Sequence, residues 1–522
     1  MRTTEPSISR RDFLRLAGLA GAGLALPGCA GDPPLRAGVF PAFGDAARPY
    51  LGLATSLRHE YDYTPRIEGT LPAGLQGDYY RNGPALFERG GLRKRTLLDG
   101  DGMIQLFRFA GAGVRYRNRF VRTAKFVAEE AAGRFLYPTW STEVPGGIWA
   151  NFWQAGKIPS QAGITVFRWR GRLYAFDEST LPYELDPTTL ATTGESTLGL
   201  PPGASIYSAH PKLDPQTGEW LHFGLKYGPT TFVHLTVFRA DGTLKWHRAL
   251  PLPRMVYMHD WFVAGRYLVL SLHPVEIAYW GFLLGFRSLA ASLRWRPADG
   301  NLLLVLDRNG SGEPLYLETE ACFMWHSYNA YEEGNEIVGD FIGYRNPDHF
   351  VGADPVIAAV MEGRQGNFRY PGEVMRYRID PGRRTVRRES LNPGSCEWPR
   401  INEAHRCRRQ RFGYMVKSLP GEFFWSIVVR IDLQSGATTE YRFGHGIYCT
   451  EPVFISPPGT VTSPLATAEP GWLLCEIYDS QSQRSALAVF TAERLADGPL
   501  ALVQLTHHVP FSYHGWWHPA GN

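Results

Sequence analysis

Cysteine is scarce in this chain: six in 522 residues, none in a Cys-x-x-Cys pair or at metal-ligand spacing. A disulfide-rich scaffold, a zinc finger and a thioredoxin-like redox motif are therefore excluded. Charge of one sign is not in excess either. Lys and Arg number 54 against 50 Asp and Glu, a net charge of +4, which gives no footing for nucleic acid. The short basic clusters at 93–95, 383–388 and 406–411 read as solvated loops. Long amphipathic helices and low-complexity linkers are missing, which argues against a helical bundle and against a string of tethered domains. What the chain does have is ordinary globular bulk: 44% apolar and 13% aromatic residues, enough for a large core and too much for disorder.

The N-terminus reads as an address. Arg10 and Arg11 lie in Ser-Arg-Arg-Asp-Phe-Leu, followed by a mildly apolar run to about Leu26. This is the pattern of a twin-arginine export signal, and the run is too short and too rich in Gly and Ala to span a membrane. Leu26-Pro27-Gly28-Cys29 resembles a lipobox, so residues 1–28 are expected to be removed and Cys29 lipidated, leaving a periplasmic, membrane-anchored protein. Residues 29–45 are expected to be a linker. The five remaining cysteines, Cys322, Cys396, Cys407, Cys449 and Cys475, read as core thiols.

From residue 46 onward the chain is short strands. Runs such as "GRLYAF", "YLVLSL", "NLLLVLD" and "FFWSIVVRIDL" alternate with turn signals such as Ala240-Asp241-Gly242 and Arg308-Asn309-Gly310. "VVRIDLQSGATTEYRF" and "MRYRIDPGRRTVRRESL" read as hairpins. With no boundary inside 46–522, the expectation is one closed all-β array, a β-propeller; seven blades would take roughly seventy residues each. The chain ends on "VPFSYHGWWHPAGN", aromatic where termini are usually polar and frayed. A propeller accounts for that, because a strand from one terminus completes the blade begun by the other.

Most of the fifteen histidines have ordinary settings. Four share an unusual one: His210 in "YSAHPKLD", His259 in "MVYMHDWFV", His326 in "FMWHSYNAYEEG" and His514 in "FSYHGWW". Each follows an apolar or aromatic run beside a turn, where a propeller strand leaves the core and faces the axis. Taken singly, each is a packed core residue more often than a ligand. Together, four imidazoles suit iron, copper, nickel or zinc. "DGDG" at 99–102 is too short for a calcium loop and reads as a tight turn, with Gly83, Gly100 and Gly102 as turn residues.

At this point a resemblance covers nearly the whole mature chain. "LQGDYYRNGPALFE", "LLDGDGMIQLFRF", "AHPKLDPQTGE", "YMHDWFV", "WHSYNAYEEGNEIVGD", "CEWPRIN", "YCTEPVFI" and "VPFSYHGWW" resemble, in order and spacing, the carotenoid cleavage oxygenase family. The resemblance implies a seven-bladed propeller with loop and helical decorations forming a dome over the metal face. It implies one Fe(2+) per chain on His210, His259, His326 and His514, with Glu178, Glu397 and Glu451 hydrogen-bonded behind the ligating imidazoles. The implied reaction is cleavage of a carbon–carbon double bond by O2 into two carbonyl products, on a hydrophobic small molecule: a carotenoid or apocarotenoid, with a stilbene as the alternative. In stilbene-cleaving members a lysine grips the phenol oxygen, and Lys125 lies in the corresponding segment, although "RKRTLL" before DGDG lacks the accompanying tyrosine. The apolar stretch 277–295, interrupted by Arg287, reads as an interfacial membrane patch or a buried insertion. The readings from other classes are a propeller hydrolase, which would need no scattered histidines, and a non-catalytic periplasmic binding lipoprotein.

Overall fold

The computed structural model describes residues 31–36, 44–152, 154, 158–178, 180–392 and 394–521. The expected export signal and Cys29 lie outside the described residues. The described residues are mostly β, with short helices between the strands.

Successive antiparallel units of four or five strands follow one another along the chain. Local sequence explains the hairpins within them. Thr165–Trp169 and Arg172–Phe176 pair so that Arg172 faces Trp169, leaving a two-residue turn of Arg170 and Gly171, both at positive φ. That is the primed turn whose twist matches flanking strands, and Gly171 takes it without strain. Both hairpins expected from the sequence are present: Ile431 opposes Thr438, and Asp380 opposes Thr385.

The second unit holds 165–195, the third begins at Lys212–Leu213, the fourth at Phe262–Ala264, and the fifth at Phe323–Glu333. The sixth begins at Cys396–Arg400 and the seventh at Ile447–Ile455; these two are joined into one sheet by a single pair, Trp425 with Cys449. The chain ends interlock. Arg66–Gly69 pairs with Pro499–Gln504 to complete the seventh unit, and Gly515–Pro519 pairs with Gly77–Leu86 to complete the first. The aromatic C-terminus is thus held by a paired strand, with Phe511 and Tyr513 buried just ahead of it.

The structure adds detail to three expectations. Residues 31–36 of the expected linker are tied to the body: Leu35–Arg36 pairs with Leu92–Arg93, and the Asp32 carboxylate accepts from the Ser288 amide and hydroxyl at 2.9 Å. Gly83, Gly100 and Gly102 are not left-handed turn residues; they permit close approach. A Cβ on Gly102 would sit 2.3 Å from the Ala162 carbonyl, and one on Gly83 2.6 Å from the Ser512 backbone. The stretch 277–295 is a short excursion in which Val275–Ile277 pairs with Leu293–Trp295 around the helix Tyr279–Leu283. No helix among the described residues is long and apolar enough to cross a membrane. The five cysteines in the described residues are buried and free, as core thiols should be.

Candidate metal centre

His210, His259, His326 and His514, separated by up to 304 positions in sequence (514 − 210), converge. One ligand atom from each lies within 4.8 Å of the others, and all four side chains are buried. Each histidine sits at or just before the first strand of a different unit, or, for His514, at the strand that closes the first.

Bulges aim several of the polar residues. The register shifts between Met324 and Ser327 at His326, between Glu397 and Arg400, and between Cys449 and Pro452 at Glu451. An extra residue bends the strand and turns a side chain that would otherwise follow the pleat. Pro399 and Pro452 fit there because a bulge does not require their missing N–H. Beside Pro399, Trp398 holds a positive φ of 60°.

Three carboxylates stand behind the imidazoles. Glu397 Oε2 lies 2.7 Å from His326 Nδ1, Glu451 Oε1 lies 2.8 Å from His514 Nδ1, and Glu178 contacts His259 Nδ1. Its neighbours do not compete: Asp177 accepts from the backbone N–H groups of Gln161 and Glu178, Glu184 pairs with Arg172, and Glu195 accepts from Tyr183. With Nδ1 occupied by a carboxylate, the tautomer leaves Nε2 as the lone-pair donor toward the centre. His210 has no carboxylate partner among the described residues.

The electrostatics fit a cation. Burial, reinforced by the neighbouring His259, His514 and His326, holds His210 well below the usual imidazole range. Burial likewise takes His514 down to about 3 against the pull of Glu451. Both rings are therefore neutral near pH 7 and able to ligate. Burial works against ionisation of Glu451, yet Arg400, the His514 hydrogen bond and Arg81 bring it down to about 2. The Nε2 atoms of His326 and His514 are buried with no hydrogen-bond partner among the described residues. Buried polar nitrogens left unmatched in a native core call for an explanation, and a metal ion shared by four imidazoles supplies one.

The centre opens on apolar space. A cavity of about 280 Å³ and a smaller one of about 90 Å³ share Leu98, Ile164, His259, Trp325 and Tyr513 as walls. Ile277, Phe282 and Leu289 from the 277–295 excursion line the larger one, while Trp280 on the same excursion stays exposed. These walls were missed in the sequence, although Tyr257 and Trp325 stand inside the quoted "YMHDWFV" and "MWHS" stretches.

Lys125 is not part of this cavity, which corrects its expected substrate contact. Its ammonium is fully buried against Asp101 at 2.6 Å and Glu129 at 3.0 Å, in a cluster that also holds Arg89. Lys125→Met is expected to lower stability by about 3 kcal/mol, because it strands buried carboxylates, and to leave substrate KM unchanged. Chemical denaturation beside steady-state kinetics reads both.

The profile of the family described as Retinal pigment epithelial membrane protein matches residues 54–519. Apocarotenoid-15,15'-oxygenase of Synechocystis is 30% identical over 472 residues, covering 88% of this chain and 94% of that protein. Isoeugenol monooxygenase of Pseudomonas nitroreducens is 24% identical, covering 87% and 94%. The crystal structure of the cobalt-substituted Synechocystis apocarotenoid oxygenase superposes with a TM-score of 0.84 at 29% identity, over 91% of this chain and 99% of that one. A match across almost the whole length, on a fold that brings four histidines together, establishes that this chain belongs to the carotenoid cleavage oxygenase family.

Proposed function

We propose that this protein is a non-haem Fe(II) dioxygenase that splits one carbon–carbon double bond of a carotenoid or apocarotenoid with O2, each carbon taking one oxygen atom to give two carbonyl products. The observation that carries this reading is the set of four buried imidazoles, three backed by carboxylates, at the wall of an apolar cavity. His210, His259, His326 and His514 would hold one ferrous ion, which supplies the O2-binding and redox chemistry that four neutral nitrogens with open positions suit. The cobalt-substituted relative supports a metal in this fold. Glu178, Glu397 and Glu451 fix the imidazoles, and their charge offsets that of a dication without filling its open positions. The apolar walls hold the polyene and exclude water from the reacting bond.

The antiparallel units are, in this reading, seven blades of a propeller forming a single catalytic domain over 46–522. One polar residue per unit supports the ring: His514, Glu178, His210, His259, His326, Glu397 and Glu451 come from the first to the seventh in that order. Export by the twin-arginine route, lipidation at Cys29 and a periplasmic, membrane-anchored location complete the proposal. The exposed Trp280 beside the cavity-lining Phe282 is consistent with an apolar contact to the membrane surface.

A stilbene or related phenolic substrate is the second reading, favoured by the tyrosines Tyr227 and Tyr257 in the cavity wall. The test is incubation of iron-loaded protein with a polyene aldehyde and with a hydroxystilbene under 18O2. Two carbonyl products, each carrying label, are expected from the preferred substrate. Absence of O2 consumption with both classes would contradict the dioxygenase reading.

A further inference from the structure

For a cavity of this family's reaction, the larger one has a wall unexpectedly rich in unmatched hydrogen-bonding groups. Trp140 Nε1, Gln161 Oε1 and Thr180 Oγ1 belong to cavity-lining side chains and are buried without a partner among the described residues. Gln161 spends its amide N–H on the Leu98 carbonyl at 2.9 Å, which leaves its oxygen free. Tyr227 and Tyr257 line the same cavity, and neither hydroxyl has a hydrogen-bond partner among the described residues. Tyr257 packs against Trp140 with ring centroids 5.2 Å apart, and His259 of the metal centre lines the same cavity. A phenol ionises only at about pH 10, so both are O–H donors at neutral pH.

We infer that Tyr227 and Tyr257, with Trp140, Gln161 and Thr180 around them, form a subsite that grips an oxygen atom carried by the substrate, a hydroxyl or carbonyl on its conjugated chain. The inference rests on the dioxygenase reading and narrows its substrate. A pure hydrocarbon entering this cavity would strip water from the two phenol hydroxyls and return no hydrogen bond. An oxygenated chain satisfies them and is held in one register, which sets the double bond presented to His259 and its partners. Sites built to hydrogen-bond a substrate oxygen discriminate strongly against the analogue that lacks it.

The experiment uses metal-stripped full-length protein, so that binding is read apart from turnover. Four probes are titrated by absorbance: a polyene aldehyde, the polyene hydrocarbon of equal length, trans-4-hydroxystilbene and trans-stilbene. The oxygenated member of at least one pair is expected to bind about tenfold more tightly or better, the worth of one good hydrogen bond; which pair shows it separates a polyene oxygen from a phenol. Tyr257→Phe and Tyr227→Phe, tested separately, are expected to remove that preference while leaving hydrocarbon affinity unchanged, which also verifies their fold. Equal affinity within both pairs would overturn the subsite, as would variants that weaken oxygenated and hydrocarbon probes alike. Iron content and O2 consumption of the same preparation, measured after reloading, report on the dioxygenase reading independently. A preserved preference without turnover would therefore sink that reading and not the subsite.

Discussion

His514→Ala is expected to give a folded protein whose affinity for iron has fallen by at least about 100-fold, since even loss of an outer hydrogen-bond partner costs up to that much. Oxygenase activity should fall below detection with it. His514 is the ligand candidate on the strand that closes the first unit, held by Glu451 at 2.8 Å. Glu451 also accepts from the Gly515 amide at 2.8 Å and faces Arg400 at 3.4 Å. Removing the imidazole therefore leaves the carboxylate partnered, and the fold should survive. Elemental analysis after anaerobic reloading reads the metal, and circular dichroism reads the fold. Glu451→Gln is the graded companion: it keeps the shape but loses the charge, and a fall of about 10–100-fold in iron affinity is expected. Wild-type iron content in His514→Ala would remove this residue from the centre.

The second large effect is on stability. Arg81 is fully buried and ties the C-terminal segment to the first unit. It donates to the Ser512 hydroxyl at 2.9 Å and to the carbonyls of Ser512 at 3.2 Å and Tyr513 at 2.9 Å. It also pairs with the buried Glu476 at 3.1 Å and reaches the Glu451 carbonyl at 3.1 Å. Arg81→Leu is expected to destabilise the protein by about 3–5 kcal/mol, because it leaves the Glu476 carboxylate buried without its counter-charge. Burial already pushes the Glu476 pKa upward against the pull of Arg81, so the orphaned acid would take up a proton instead of staying charged. Arg81→Leu with Glu476→Leu should recover part of the loss, since two apolar groups cost less than one stranded charge. A denaturation midpoint for Arg81→Leu equal to wild type would show that strand pairing alone holds the terminus.

The four histidines were legible because each stands in a short aromatic or apolar motif at a similar structural step, where a first strand begins or, for His514, where the closing strand begins. Glu397 and Glu451 were harder, since an acid next to proline reads as a strand-end surface residue. The bulges at these positions reverse that reading: proline is tolerated inside the strand, and the acid turns inward to an imidazole. Glu178 could be separated from Asp177, Glu184 and Glu195 only through the family resemblance, because the competition is settled by partners distant in sequence. Lys125 was misread for a related reason. One of its two carboxylate partners, Asp101, lies in the "DGDG" stretch that reads as a turn, so the closed ion-pair cluster has no local signature. The cavity wall was least legible of all, since Leu98, Trp140, Ile277 and Tyr513 come from distant parts of the chain and each passes for ordinary core.

The proposed centre is one ferrous ion on four imidazoles. Iron K-edge X-ray absorption on anaerobically reloaded wild-type protein tests it directly. The expected result is a first coordination sphere of nitrogen and oxygen whose outer-shell scattering requires four imidazole rings, falling to three in His514→Ala with whatever iron that variant retains. Two or fewer imidazoles, or protein carboxylates bound directly to the iron, would contradict it.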